Sequence, residues 1–335
     1  MWTKEKCRQL DISDKLAGYK DQFHLPKGII YLDGNSLGAL PKTALARSQQ
    51  VIQDEWGNDL VKSWNSAGWF DMPVKLGNKL AKILGANPGE MVITDSISTN
   101  VFKTVSAALM LQKEKYPNRK VIVAERDSFP SDLYMMQGML NLLDNGYELR
   151  LFDDDLSLED ALSEDVAVLE ISEINYRTGY LQDMKKVTEL AHAKGILTVW
   201  DLAHSAGAIN VNLNKANADF AVGCTYKFLN AGPGAPGFVW AASRHLGKFW
   251  QPLSGWWGHE QPFLMDQQYR QAADGRHLLC GTPPIVSLAL VECGLDIFLT
   301  VDMDEVRKKS LALSDLFIDL IAERCGDYNF NARFF

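Results

Sequence analysis

Cysteine is scarce and unpatterned. The five, Cys7, Cys224, Cys280, Cys293 and Cys325, are odd in number, widely scattered and never in a CxxC. That spacing argues against a disulfide framework or a cysteine zinc site and fits a reducing, cytoplasmic compartment. The six histidines include no pair at HExxH-type spacing, so no metal site is expected. Long apolar runs are missing too, since no stretch of about 18 apolar residues is available to cross a membrane. The N-terminal MWTKEKCRQLDISDKL is charged throughout, unlike a secretory leader. Positive charge is in deficit, with 34 Lys+Arg against 42 Asp+Glu and a net charge of -8. A duplex nucleic-acid binder would show a basic face, and none is visible at this level. There is no P-loop or kinase signature, and no internal repeat. Gly232-Pro-Gly234-Ala-Pro-Gly237 matches GxGxxG by letter, but it carries two prolines and precedes a strand, so it is not a dinucleotide fingerprint.

What is present is an ordinary globular composition over 335 residues, 47% hydrophobic and 23% charged. The length suits two domains or one large α/β domain with an appendage. From Met91 onward, short apolar runs alternate with helical patterns. Strands are predicted at Met91–Thr94, Val121–Ala124, Leu149–Phe152, Val166–Ile171, Ile196–Trp200, Phe220–Cys224 and Gly237–Ala241. Helices are predicted around Val101–Leu109, Leu133–Leu143, Met184–Ala191, Leu290–Phe298 and Val306–Ala322. Strand–helix alternation with short connections implies a mostly parallel sheet, and strands apolar on both faces imply helices on either side. The expected division is a helical and loop segment over 1–60, a large cofactor-binding α/β domain over 61–285, and the start of a small C-terminal domain over 286–335.

Two strand ends carry the strongest chemical pattern. Asp201 ends ILTVWD, with His204 three residues on, and Lys227 leaves the next apolar strand in CTYKFLN, flanked by Tyr226 and Phe228. Carboxyl ends of strands are where open α/β sheets bind ligands. Pyridoxal phosphate needs this pair: a lysine to condense with its aldehyde and a carboxylate to hold the pyridine nitrogen protonated. The same letters also describe a turn-capping Asp and a snorkelling Lys. Three further segments converge on the same reading. Ser96–Asn100 opens a helix, either as a phosphate seat or as an ordinary N-cap. Phe129, before Pro130-Ser131-Asp132, is either a ring-stacking aromatic or part of a turn. Ser172, ending VAVLEIS, either reaches the ring's substituents or is a satisfied loop hydroxyl.

With those segments in hand, the chain resembles the kynureninases, pyridoxal phosphate enzymes of the aspartate aminotransferase fold type. The match rests on YLDGNSLGALP (Tyr31–Pro41), DSISTN (Asp95–Asn100), RDSFPSDLY (Arg126–Tyr134), NYRTGY (Asn175–Tyr180), WDLAHSAGA (Trp200–Ala208), CTYKFLNAGPGAPGF (Cys224–Phe238), PLSGWWGH (Pro252–His259) and GTPPI (Gly281–Ile285). The resemblance implies a three-layer fold type I architecture. It makes Lys227 the cofactor-linking lysine, Asp201 the pyridine-nitrogen partner, and His204 its neighbour in the site. Phe129 becomes the stacking aromatic and Asp132 a cofactor contact beside it. Ile97, through its backbone N–H, and Ser98 become phosphate ligands. Tyr226 is implied as a phosphate ligand that also protonates the departing fragment. Trp256 and Thr282 would reach the phosphate of a neighbouring subunit, which implies a homodimer with shared sites.

The implied reaction is hydrolysis of L-kynurenine to anthranilate and L-alanine, in tryptophan catabolism and pyridine nucleotide biosynthesis. Relatives that prefer the 3-hydroxylated substrate carry His at a position that falls near Trp64 here, so unsubstituted kynurenine is expected. The family continues for several dozen residues into a small domain that supplies an Arg for the substrate carboxylate. The chain is therefore expected to be truncated, and Arg333, the basic residue in NFNARFF, is given no such role. Two alternatives accompany this reading. One is a truncated cofactor binder with little or no activity. The other is cysteine desulfurase or selenocysteine lyase chemistry, which needs a mobile cysteine. Cys280 is the one in a suggestive loop, and it also suits a small apolar filler.

Overall fold

The computed structural model describes residues 2–143 and 146–326. NFNARFF, with Arg333, lies outside them. Ahead of the main sheet come α1 (Lys4–Ser13), a ribbon of β1 (Phe23–His24) and β2 (Leu40–Pro41), α2 (Thr43–Gln49), α3 (Ser63–Ser66) and α4 (Met72–Ile83). A π-helical stretch over Gln50–Asn58 continues α2. Then follow β3 (Met91–Ile93), α5 (Ile97–Lys115), β4 (Val121–Glu125), α6 (Pro130–Leu143), β5 (Glu148–Phe152), α7 (Leu158–Ala161) and β6 (Val166–Ser172). The order continues with α8 (Met184–Ala193), β7 (Leu197–Asp201), β8 (Phe220–Gly223), β9 (Phe238–Ala241), α9 (Ile285–Phe298) and α10 (Met303–Arg324). Among the described residues, no helix is long and apolar enough to cross a membrane.

The main sheet has seven strands in the order β3-β9-β8-β7-β6-β4-β5. Pairing is parallel from β5 through β8, while β9 runs antiparallel to both β8 and β3. This is the mostly parallel α/β sheet expected from the alternating pattern. β6 is buried at all seven positions, so its letters show no alternation. The alternation exists in space. Val168, Val199, Val222 and Val239 belong to one core with α5 and α6 residues. Leu169, Trp200, Ala221 and Trp240 belong to the opposite core with residues of α4, α8 and α9. Period-2 geometry thus sends neighbouring residues into different layers, and each large apolar side chain fully buried there contributes roughly 1.5–3 kcal/mol.

Close approach fixes some identities. α4 presents Met72, Leu76 and Leu80 to the core at helical spacing. Gly77 meets β3 so closely that an added Cβ would lie 2.1 Å from the Met91 carbonyl oxygen, which only glycine tolerates. The chain leaves β4 for β5 on one side and returns to β6 on the other. Strand order reverses there, and such a reversal opens a crevice at the carboxyl ends of the strands.

Candidate active site

The crevice is filled by residues leaving β4, β6, β7 and β8. Ser172 and Asp201 end β6 and β7 and are register partners. Beyond β8 the chain makes a tight turn: the Thr225 hydroxyl donates to the Pro236 carbonyl at 2.6 Å and the Asn230 N–H to the Lys227 carbonyl at 3.0 Å. Asn230 sits at φ +59°, a left-handed conformation that Asn accepts more readily than most residues. The N-terminal segment docks on this turn. The Gly38 N–H donates to the Tyr226 carbonyl at 2.8 Å, and a Cβ on Gly38 would lie 2.2 Å from the Lys227 carbonyl oxygen.

The result is a cavity of about 300 Å³ lined by Asn35, Ser36, Ile97, Phe129, Asp132, Tyr176, Asp201, Ala203, His204, Tyr226 and Lys227. A hollow of about 330 Å³ shares Ile97, Phe129 and Tyr226 with it and adds Asp95, Ser96, Ser98, Ser131 and Gly234–Gly237. Within the cavity the Lys227 ammonium stands 2.9 Å from His204 Nε2 and 5.8 Å from the centre of the Phe129 ring. Phe129 meets Tyr176 edge-on at 5.3 Å. Asp201 accepts from the Ala203 N–H at 2.7 Å and from the Ser172 hydroxyl at 3.3 Å. At the far end, Ser96 caps α5 by accepting from the Thr99 N–H. Helix geometry leaves the Ile97 and Ser98 N–H groups without intrahelical acceptors, at the positive end of the helix dipole.

The electrostatics are those of a site short of positive charge. Burial, then repulsion from Asp201, pushes Asp132 up to about 8, with Lys227 opposing. Its Oδ1 is buried without a partner. Burial also raises Asp201, offset in part by the Ala203 N–H, Lys227 and Ser172. Glu170, one layer behind on β6, is raised by burial and then by Asp132, Asp201 and Glu125, and neither of its oxygens has a partner. Burial and then Lys227 lower His204 to about 4, so it is neutral at pH 7 and its Nε2 accepts from the ammonium. Burial, with Cys224 adding to it, raises Tyr226 to about 12 and keeps it a protonated phenol.

The expected residues therefore divide. Lys227, Tyr226, Asp201, His204, Phe129, Asp132 and Ile97 line the cavity, Ser98 lines the adjoining hollow, and Ser172 supports Asp201. Trp256 and Thr282 are exposed and line neither. Trp64 lines neither; it packs edge-on against Trp69 at 5.4 Å and against Trp257 at 5.2 Å. Cys280 lies outside the cavity and its carbonyl accepts from the Trp257 N–H. Asn35, Ser36 and Tyr176 line the cavity without having been singled out. Their signal was membership in the YLDGNSLGALP and NYRTGY segments.

Pyridoxal phosphate fits these donors. A primary amine shares the cavity with two buried carboxyls, one of which, Asp132, has an oxygen without a partner, an aromatic wall spans cavity and hollow, and a capped helix start closes the end where an anion would sit. A lysine and a strand-end aspartate on a mixed seven-stranded sheet define fold type I pyridoxal phosphate enzymes as a class. The chain belongs to the class-V aminotransferase family, whose model matches residues 30–332. It is 55% identical over 326 residues to the kynureninase of Burkholderia pseudomallei strain 1106a, covering 97% of this chain and 78% of that protein. It is 53% identical to the kynureninase of Pseudomonas fluorescens over the same shares. Among solved structures, the apo cysteine desulfurase of Thermococcus onnurineus NA1 superposes with a TM-score of 0.72 at 20% identity, covering 96% of this chain and 77% of that one. A C-DES variant with glycine linked to its PLP cofactor superposes at 0.78 with 16% identity, covering 91% and 80%. At such identities the two structures speak for the fold alone.

Proposed function

We propose that the chain is a pyridoxal phosphate-dependent hydrolase that cleaves L-kynurenine to anthranilate and L-alanine. The observation that carries this is one cavity holding Lys227, Asp201, Phe129 and the start of α5, in a chain 55% identical to a kynureninase. When bound, the cofactor supplies an aldehyde for the substrate's amine and a ring that draws electrons from the bond to be broken. Asp201 would hold a proton on the pyridine nitrogen, in an ion pair that burial would strengthen. Ser172 and the Ala203 N–H keep the carboxylate pointed at it. Lys227 Nζ takes the proton from the substrate's α-carbon and returns it. Neutral His204 orients Nζ by accepting one of its hydrogens. Phe129 would pack on the ring, and the Ile97 N–H and Ser98 would hold the phosphate, with Tyr226 on the same anion. Water adds to the side-chain ketone and supplies the oxygen of anthranilate's carboxylate, and Tyr226, still a phenol at working pH, donates a proton to the carbon released as the Cβ–Cγ bond breaks. Asp132, beside Phe129, contacts the ring's rim.

The active unit is a homodimer in this reading. Trp256 and Thr282 are exposed and absent from the cavity of their own chain, which suits residues that reach a neighbour's phosphate. Trp64 packs behind them on Trp257, so the same face would set a preference for the unsubstituted ring. The compartment assigned is the cytoplasm, in keeping with the scattered, unpaired cysteines. Desulfurase-type chemistry is disfavoured because Cys280 is outside the cavity.

The test is anthranilate release, followed by its fluorescence, from purified chain supplied with pyridoxal phosphate and L-kynurenine. Stoichiometric alanine and anthranilate are expected. Full cofactor loading with no product would sink the proposal.

A further inference from the structure

We infer that Lys103 is a positioning residue for the cofactor's phosphate, because its buried side chain ties the loop that forms the phosphate seat to the loop that ends at Thr282. The inference rests on the placement of the phosphate at the start of α5.

Lys103 lies on α5, and its side chain is fully buried. A buried ammonium persists only where acceptors replace its lost water. Here there are two, on distant segments. Nζ donates to Asp95 Oδ2 at 2.5 Å and to the Leu278 carbonyl at 2.6 Å. Asp95 immediately precedes Ser96, the cap of α5. It sits at φ +49°, a left-handed conformation that Asp adopts at some cost. Its carboxylate also accepts from the Thr94 hydroxyl at 2.9 Å, and its carbonyl accepts from the Gly237 N–H at 2.7 Å. Holding Asp95 in this pose sets the direction of the first free N–H groups of the helix.

The other acceptor ends the 3-10 turn Gly275–Leu278. From there the chain runs through Cys280, whose carbonyl accepts from the Trp257 N–H at 3.2 Å, to Thr282. One ammonium therefore locks the seat of this chain's phosphate against the loop that carries Thr282 and braces Trp257. The Lys103–Asp95 pair is close to neutral as a unit. Its contribution is orientation, not attraction.

The experiment compares pyridoxal phosphate with pyridoxal, which lacks the phosphate, on the full chain freed of cofactor by dialysis. Binding is read from the visible absorbance. Lys103→Met leaves the Asp95 carboxylate uncompensated beside the anion, and its affinity for pyridoxal phosphate should fall about 100-fold, the scale of an ångström-sized misplacement. The double variant Lys103→Met/Asp95→Asn removes both charges and should lose about 10-fold. Pyridoxal should bind within twofold of the unaltered chain in both variants. Parallel loss of the two ligands would mean general damage and overturn the inference. A double variant that binds pyridoxal phosphate as well as the unaltered chain would overturn it too, since charge compensation alone would then suffice.

The unaltered chain decides the matter if either variant fails to fold. Inorganic phosphate alone should slow amide hydrogen exchange in Asp95–Ser98 and in the turn Gly275–Leu278 together. Protection of the first segment alone would break the link through Lys103. Protection of neither would overturn the phosphate seat, and the inference with it.

Discussion

Asp201 and Asp219 stand at opposite ends of neighbouring parallel strands, and their surroundings could hardly differ more. Asp219 precedes β8 and is saturated with donors. It accepts from His192 Nε2 at 2.7 Å, His245 Nε2 at 2.8 Å, Arg244 Nη2 at 2.7 Å and the Thr198 N–H at 2.9 Å. Burial pushes it up most, but the hydrogen bonds from the two histidines, attraction to His192 and the Thr198 N–H together outweigh burial and hold it far below the ordinary carboxylate range. Among the described residues, Asp201, ending β7, accepts only from the Ala203 N–H and the Ser172 hydroxyl, and burial wins. Both carboxyls are buried, so burial alone does not separate structure from chemistry. The separation lies in satisfaction. A buried carboxylate with every lone pair engaged stabilises the fold, whereas one left short has capacity for a cation from a ligand.

Lys227→Ala removes the amine that Asp201 and Asp132 face, and turnover should fall about 10⁴-fold or more. Absorbance should show no cofactor bound through lysine, and a surviving visible band would reassign the lysine. Asp219→Ala should destabilise the chain by about 3 kcal/mol, the low end for a broken buried pair because Arg244 reaches solvent. Urea unfolding reads that loss, and turnover per folded molecule should stay unchanged. If Asp219→Ala instead slowed turnover at full stability, the two ends of the sheet would not be separate in role. Asp201→Asn should do the converse, with kcat down about 10²–10³-fold and the urea midpoint scarcely moved.

The smallest effect is a pH slope. Asp132 is raised from an ordinary 3.8 to about 8. A raised carboxyl contributes stability that is complete below its unfolded value and is lost as pH climbs through the folded one. The cofactor-free chain should therefore lose stability between about pH 4 and pH 8. Asp132→Asn, which mimics the protonated acid, should recover about 5 °C of melting temperature at pH 8 relative to the unaltered chain. A slope of unchanged steepness in this variant would shift the effect to Glu170, which is raised for the same reasons.

The strands were legible because each is an apolar run of strand length bounded by turn residues. Their faces were not. VAVLEIS is uniformly buried, and a run without polar letters carries no mark of which side chain enters which layer. Glu170 was visible as a charge inside that run, yet nothing in the letters says that both its oxygens lack partners. Lys227 and Asp201 were legible because a strand end in this fold class is already a place in the site. Asn35 and Ser36 reach the same cavity through the Gly38–Tyr226 hydrogen bond, between residues far apart in sequence. Trp64 lies outside the cavity of its own chain, packed against Trp69 and Trp257, contacts that no letter in SWNSAGW announces.

The alternating α/β plan, the order of strands and helices, and the pairing of an amine with a carboxyl and a helix start are all written in the letters. These follow from local periodicity and from chemistry carried by single side chains. Which carboxyls lack partners, that the chain's first fifty residues help wall the cavity, and that Lys103 links two distant loops emerge only once the chain is packed. Desolvation and hydrogen-bond satisfaction depend on everything within a few ångströms, and those neighbours come from segments that chain order does not bring together.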